Sequence, residues 1–335
     1  MEFGLQISSM EPQKFRDVAQ SAEGLGFDVL FLPDHIVGES IEKQLDPRTL
    51  CYDPIAMAAV LADATKKIRI GHLVLCNLFR HPAIAAQSLT TLDHVSNGRL
   101  IAGFGTGWTE TEFQMTGLPF PPIAERLRML DESLNVICSL WGNERTTFKG
   151  EFYNLTDAIS WPKPLQKPHP PILIGGGGKG VLRIAAKYAD VLNINQESGK
   201  PGKISLASIK RLNDSTFIEK VTFVREEAKK YNRKPDAIRI SSIMFIVSIC
   251  SSREATRKIA AQMAPVLGLS PDELLRAPMA LIGTPEECVT ELQRRAQEWG
   301  VNQFIFSGGV GTDVKQLRRI KEEIVANVKI SRYAA

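Results

Sequence analysis

Two stretches of this chain carry groups that could do chemistry. The first runs from Pro171 to Asn195, PILIGGGGKGVLRIAAKYADVLNIN, where an apolar run meets Gly175, Gly176, Gly177 and Gly178, then Lys179 and a helical pattern. Glycines at a strand-to-helix junction let backbone N–H groups approach an anion without interference from a Cβ, and the helix N-terminus adds positive potential. Four in a row followed by a lysine point to a phosphate, whereas a plain flexible turn needs only one or two. The same letters satisfy G-x-G-x-x-G at Gly175, Gly177 and Gly180, a pattern that carries little alone. The second stretch is Pro33-Asp34-His35, at the end of another apolar run. A carboxylate beside an imidazole can hold or move a proton near neutral pH, because an ordinary histidine titrates there. The plainer alternative is a turn cap at Asp34 and a structural His35. Elsewhere His72 reads as a packed core residue or cofactor neighbour, His81 and His94 as structural, and His169 as part of a proline-rich approach. Dispersed histidines without H-E-x-x-H spacing give no reason to expect a metal.

The elements that must position these groups alternate along the chain. Apolar runs predict strands at Phe3 to Ser8, Asp28 to Leu32, Ile68 to Leu75, Leu100 to Phe104, Pro171 to Ile174, Asp190 to Ile194, Arg239 to Ile249 and Gln303 to Ser307. Helical patterns fall between nearly all of them. One opens at Pro12, another with Asp53 as N-cap and Pro54 behind it, and a third spans Ala83 to Val95. A long one carries Leu127, Leu130, Leu134, Ile137 and Trp141 on a single face, a stripe that belongs to the core. Thr216-x-x-Glu219, Ser251-x-x-Glu254, Ser270-x-x-Glu273 and Thr284-Pro285-x-Glu287 read as capping boxes, and Asp313 to Val328 as a final helix. Thr147 to Leu155 reads as a small hairpin outside the pattern.

Eight strands with helices between them fit a closed (β/α)8 TIM barrel better than an open sheet. The reading is one domain over residues 1–330, with insertions near 36–52, 109–122, 143–168 and 196–215. In such a barrel the loops after each strand gather on one face, so Asp34, His35, Asn77, Thr106 to Trp108, Gly175 to Lys179 and Ser307 to Gly309 should converge. A two-domain Rossmann dehydrogenase built on the G-x-G-x-x-G match needs an acidic residue at the end of the next strand. Asn195 and Gln196 stand there, with Glu197 late, and four preceding β/α units would have no role.

A net charge of +4 with no basic block argues against a nucleic-acid partner. Five scattered cysteines without C-x-x-C spacing suit a reducing compartment. No stretch approaches the length of a membrane span and the start has no signal-peptide pattern, so the expectation is a soluble, cytoplasmic protein.

PDH at 33–35, VLCNLFRHPAIAAQSLTTLDHVSNGRL at 74–100, GFGTGW at 103–108 and PPILIGGGGKGVLRIAAKYAD at 170–190 together resemble the bacterial-luciferase-like oxidoreductases. The combination of N-x-F-R-H-P with four glycines is most similar to the branch that uses the deazaflavin coenzyme F420. The resemblance implies a TIM barrel with insertions, usually a homodimer, holding a flavin or deazaflavin in its mouth. Gly175 to Gly178 and Lys179 would then take the cofactor phosphate after strand five, although barrel phosphate sites commonly follow strands seven and eight. Leu73 and Val74 would form a non-proline cis peptide against the ring system, with Asn77, Thr106 and Gly107 beside it. Asp34 would touch the ring and His35 would lie near the hydride-bearing carbon.

Trp108 stands where deazaflavin sugar-phosphate dehydrogenases of this group carry a glutamate acid, which argues against that reaction. It would stack on the cofactor or wall the substrate pocket, or simply fill the barrel mouth. Lys200, Lys203, Lys210 and Arg211 would either fold over the site or form a solvated loop. The expected function is F420-dependent hydride transfer to or from a small organic substrate. An FMN-dependent monooxygenase is the first alternative, and a non-catalytic binding protein on the same fold the second.

Overall fold

The computed structural model describes residues 1–38, 48–197 and 205–329. Among them, eight parallel strands form one barrel: β1 (Glu2–Gln6), β2 (Val29–Leu32), β3 (Arg69–His72), β4 (Leu100–Gly105), β5 (Ile172–Gly175), β6 (Val191–Ile194), β7 (Arg239–Met244) and β8 (Val301–Phe306). Each pairs with its sequence neighbours, and β8 closes on β1 through Phe3↔Phe304 and Gly4↔Ile305. The fold is the (β/α)8 barrel that the alternation predicts.

Side chains alternate across the barrel wall, as period-two strands require. Val29, Phe31, Ile101, Leu173, Val191, Ile243 and Ile305 fill the interior. Their neighbours Leu30, Leu32, Ala102, Ile172, Ile174, Leu192 and Phe304 face outward into the helix layer. That layer includes α1 (Pro12–Gly24), α2 (Pro54–Ala64) and α3 (Pro82–Val95), then α4 (Glu110–Thr116) and α5 (Ile123–Gly142) after β4. The expected α5 stripe is real: Leu130, Leu134, Ile137 and Trp141 are buried, and Leu127 lies partly buried against them.

The structure corrects several boundaries. The seventh strand is two: β7 stops at Met244, and Ile246–Ile249 leaves the barrel to pair with Ala280–Gly283 in a small satellite sheet. This sheet has its own apolar cluster with Leu267, Leu269 and Leu274, a separate burial that an unbroken apolar run conceals. α6 (Lys179–Tyr188) and the short α7 (Leu206–Arg211) precede α8 (Asp214–Lys229), whose N-cap is Asn213, so Thr216 is the third helical residue and not the cap. α9 (Arg253–Met263) is capped by Ser252 instead of Ser251. The boxes opening α10 (Pro271–Arg276) and α11 (Pro285–Trp299) form as read. α12 (Val314–Arg319) widens into a π turn at Ile320–Ile324 instead of running straight to Val328.

His72 ends β3 fully buried, and burial pulls its imidazole down to about 4. The unfolded chain takes up that proton near the ordinary value of about 6.5, so stability present above that pH is lost as pH falls toward 4. Urea unfolding should lose about 2 kcal/mol between about pH 7 and about pH 5 from this group. A His72→Leu variant should lose that part of the slope, and identical slopes in the two proteins would disprove the assignment.

Candidate active site

The parallel barrel turns the C-terminal ends of its strands to one mouth, and most of the groups singled out above meet there. After β2 the chain passes Pro33 to Asp34, which is only 6% exposed. Its Oδ2 accepts from the Cys76 backbone N–H at 2.8 Å and from Arg80 Nη1 at 2.6 Å, and its Oδ1 accepts from Arg80 Nη2 at 3.2 Å. Burial holds this carboxyl above its ordinary value, and the Arg80 guanidinium offsets only part of that rise. Arg80 also donates to Asp53 at 2.6 Å, and Asp53 caps α2 as its sequence position predicts. Asp34 is therefore a fixed, hydrogen-bonded carboxylate that ties β2 to the end of β3 and, through Arg80, to α2. Arg80 is the arginine of N-x-F-R-H-P, and this pairing is a role the motif alone does not reveal.

His35 follows, with its side chain 28% exposed. Its Nδ1 lies 3.2 and 3.3 Å from the two carboxylate oxygens of Glu112, a residue 3% exposed in the first turn of α4. Glu112 also accepts the Ile36 backbone N–H at 2.6 Å. Sequence reasoning missed this residue because it treated 109–122 as a variable loop; an acid in the loop directly after the β4 motif was the available signal. Trp108 meets His35 edge-on, with ring centroids 6.0 Å apart at 87°. It walls the imidazole. His35 also borders a small apolar crevice with Ile7, Phe15, Leu32, Leu50 and Met57.

Gly107, with φ of +70°, lies so close to Cys76 that a Cβ would come within 2.7 Å of the sulfur, and its carbonyl accepts from the Arg126 guanidinium. Thr106 precedes it, half-buried. Asn77 is buried, and its side chain faces the Tyr153 hydroxyl, whose pKa burial raises and Asn77 partly lowers.

The Leu73–Val74 peptide is cis, as the resemblance implied. It sits at a bulge: Gly71 pairs with Ile101 and Leu75 with Phe104, so three residues oppose two. Gln6 Nε2 donates to the Leu73 carbonyl at 2.7 Å, and Ser307 Oγ holds Gln6 in turn at 2.9 Å. The Val74 side chain reaches across to two neighbouring strands. A Cβ on Gly105 would lie 2.6 Å, and on Gly175 2.9 Å, from its methyl carbons. Thus the bulge touches the glycine loop on one side, while Cys76, two residues on, touches Asp34.

In that loop Gly176 has φ of +148°, and its N–H donates to the Asn193 carbonyl at 3.0 Å. A Cβ on Gly177 would come within 2.1 Å of the Asn195 carbonyl oxygen, so close backbone approach requires glycine here. Gly178 is the N-cap of α6, makes no side-chain cap and has nothing within 4 Å of a Cβ position. The first turn of α6 thus has no side-chain cap for its N–H groups and opens on unfilled space, the arrangement an anion fits. Lys179 is exposed, with Nζ 6.0 Å from the Phe223 ring. Lys220 of α8 donates to the Gly177 carbonyl and to Glu197, each at 2.6 Å. Glu197, the late acidic residue of the Rossmann alternative, is thereby paired with Lys220.

The basic insertion divides. Lys210 pairs with Glu273 of α10 at 3.3 Å, and Arg211 ends α7 exposed. Lys200 and Lys203 lie outside the described residues.

A family model described as luciferase-like monooxygenase matches residues 2–303. The chain belongs to this family. Among relatives of this luciferase-like protein is the F420-dependent glucose-6-phosphate dehydrogenase of Amycolatopsis mediterranei, 25% identical over 95% of each chain. The chain spans about half the length of four further proteins of that name. An FMNH(2)-dependent dimethylsulfone monooxygenase from Pseudomonas putida is 29% identical over 56% of this chain and 51% of its own. Among solved structures, the coenzyme F420 dependent tetrahydromethanopterin reductase of Methanopyrus kandleri superposes with a TM-score of 0.77 at 21% identity, covering 98% of this chain and 99% of its own.

Proposed function

We propose that this chain is an F420-dependent oxidoreductase that transfers hydride between the deazaflavin and a small organic substrate. One observation carries the reading. The uncapped glycine cradle before α6 and the His35–Trp108–Glu112 cluster stand on one barrel mouth, with the Val74 bulge between them. The residues present fit the cofactor. Gly176, Gly177, Gly178 and Lys179 would hold its phosphate, and Leu73 and Val74 would support its ring. When bound, the deazaflavin supplies the hydride chemistry and lacks the ring nitrogen that flavins need to react with oxygen.

The side chains do the rest. His35 holds and moves the proton that accompanies the hydride, and Trp108 shields it from solvent. Asp34, locked by Arg80 and Cys76, fixes the bulge on which the ring would rest. Trp108 in place of an acid counts against a sugar phosphate, although relatives are named for one. The reading also carries a homodimer, as the resemblance implied, and a cytoplasmic location, as the cysteine usage suggests; no helix among the described residues is long and apolar enough to cross a membrane.

Anaerobic titration of the cofactor-free protein with F420 and with FMN tests the proposal. F420 should bind at least tenfold more tightly, a difference of about 1.4 kcal/mol. Binding of FMN alone would replace it with the monooxygenase reading, which the Pseudomonas putida relative supports.

A further inference from the structure

We infer that Glu112 is a positioning residue for His35: its buried carboxylate fixes the imidazole through Nδ1 and favours the protonated ring, so that Nε2 serves as the proton-exchanging atom. The inference rests on the hydride-transfer reading above and extends it to a residue outside the motifs that led there.

The geometry supports this in three ways. Glu112 is 3% exposed, and both of its oxygens lie within hydrogen-bond reach of Nδ1, at 3.2 and 3.3 Å. Its further contact with the Ile36 backbone N–H, at 2.6 Å, locks it to the same loop that carries His35. The imidazole can therefore turn neither away from the carboxylate nor into the Trp108 ring beside it. A carboxylate bound to one ring nitrogen sets the tautomer and orientation of the other, and an opposite charge at this distance favours the imidazolium. Because the two ring nitrogens lie on opposite sides of the imidazole, anchoring Nδ1 turns Nε2 away from Glu112.

Among the described residues, the other charged and titratable groups around His35 have partners or positions of their own; Tyr52 lines the crevice beside it and packs against Phe15. Asp34, its neighbour in the chain, is engaged by Arg80 and the Cys76 N–H, and Arg80 is shared with Asp53. Cys51, from the stretch before α2, lines the same crevice, and its thiol is pushed up by burial and by the Glu112 charge, so it stays neutral. Cys76 is pushed up to about 12 by burial and is neutral as well. Among these described groups, Glu112 is the one whose carboxylate reaches Nδ1.

The test has two parts. In the cofactor-free protein, the ring resonances of His35 are followed by NMR against pH, in wild type and in Glu112→Gln. The amide can still accept the Ile36 N–H, so the loop keeps its shape. The wild-type midpoint should lie above the ordinary value of about 6.5, and the variant's should fall by about one unit or more. A wild-type midpoint at or below the ordinary value would overturn the inference without any variant, and so would an unchanged midpoint in Glu112→Gln. In the second part, kcat and KM with F420 are measured for Glu112→Gln, His35→Gln and the double variant. The single Glu112 change should lower kcat by about ten- to a hundredfold with KM within a few-fold, and should add nothing on top of His35→Gln. Effects that multiply in the double variant would mean that Glu112 acts on the loop and not through His35. Because the NMR titration needs no cofactor, failure of this inference is separable from failure of F420 to bind.

Discussion

His35→Asn should lower kcat by about two to four orders of magnitude, the usual contribution of a positioned general acid or base, while F420 affinity stays within a few-fold. Asparagine can occupy the same place and keep a hydrogen bond to Glu112 through its amide, but it cannot titrate. The reasoning starts from position. His35 is the described histidine placed at the mouth, against the Trp108 wall and bordering the crevice. His72 is buried inside the wall, His81 caps α3 by accepting the Ala83 N–H, and His94 contacts the Lys163 carbonyl far from the mouth. Single-turnover absorbance of F420 separates chemistry from binding and product release. A variant that binds the cofactor and turns over at the wild-type rate would remove His35 from the mechanism.

The second large effect is at Gly178, where stability and binding should separate. Its φ of −77° and ψ of 147° suit an N-cap, and a side chain there meets nothing within 4 Å. In Gly178→Asp the new carboxylate caps α6, so the melting temperature should hold or rise slightly, since aspartate at an N-cap is a few tenths of a kcal/mol better than glycine. The same carboxylate occupies the N–H groups that a phosphate needs and adds like charge, so the F420 dissociation constant should rise by about a hundredfold or more. Gly177→Ala cannot make this distinction, because its Cβ would strike the Asn195 carbonyl and disturb the fold itself. Unchanged affinity in Gly178→Asp, read by fluorescence titration, would move the phosphate elsewhere.

Much of this arrangement is readable along the chain, and the limits have physical causes. Strand and helix order shows because each strand is a short apolar run and many helices open on a strong cap, such as Asp53 or Thr284. The glycine loop and the Asp34-His35 pair show because their chemistry is local. What could not be read is the partner each side chain finds across the mouth. Arg80 lies 46 residues from Asp34 and Glu112 lies 77 from His35, so only the closed barrel brings them together. The break between Met244 and Ile246 is hidden for a related reason, since both halves are apolar-rich strands, and which sheet each joins is set by the fold.

The crowding around Val74 has a consequence for how this protein can change. Two strand ends have given up their side chains to make room for one isopropyl group, so the place proposed for the ring would be shared by the bulge after β3 and the ends of β4 and β5. A single enlargement at Gly105 or Gly175 would displace that valine, and a smaller residue at 74 would leave a void that neither glycine can fill. Evolution or engineering toward a differently shaped coenzyme therefore has to rewrite at least three positions in concert, and a library that varies them one at a time would sample only dead ends.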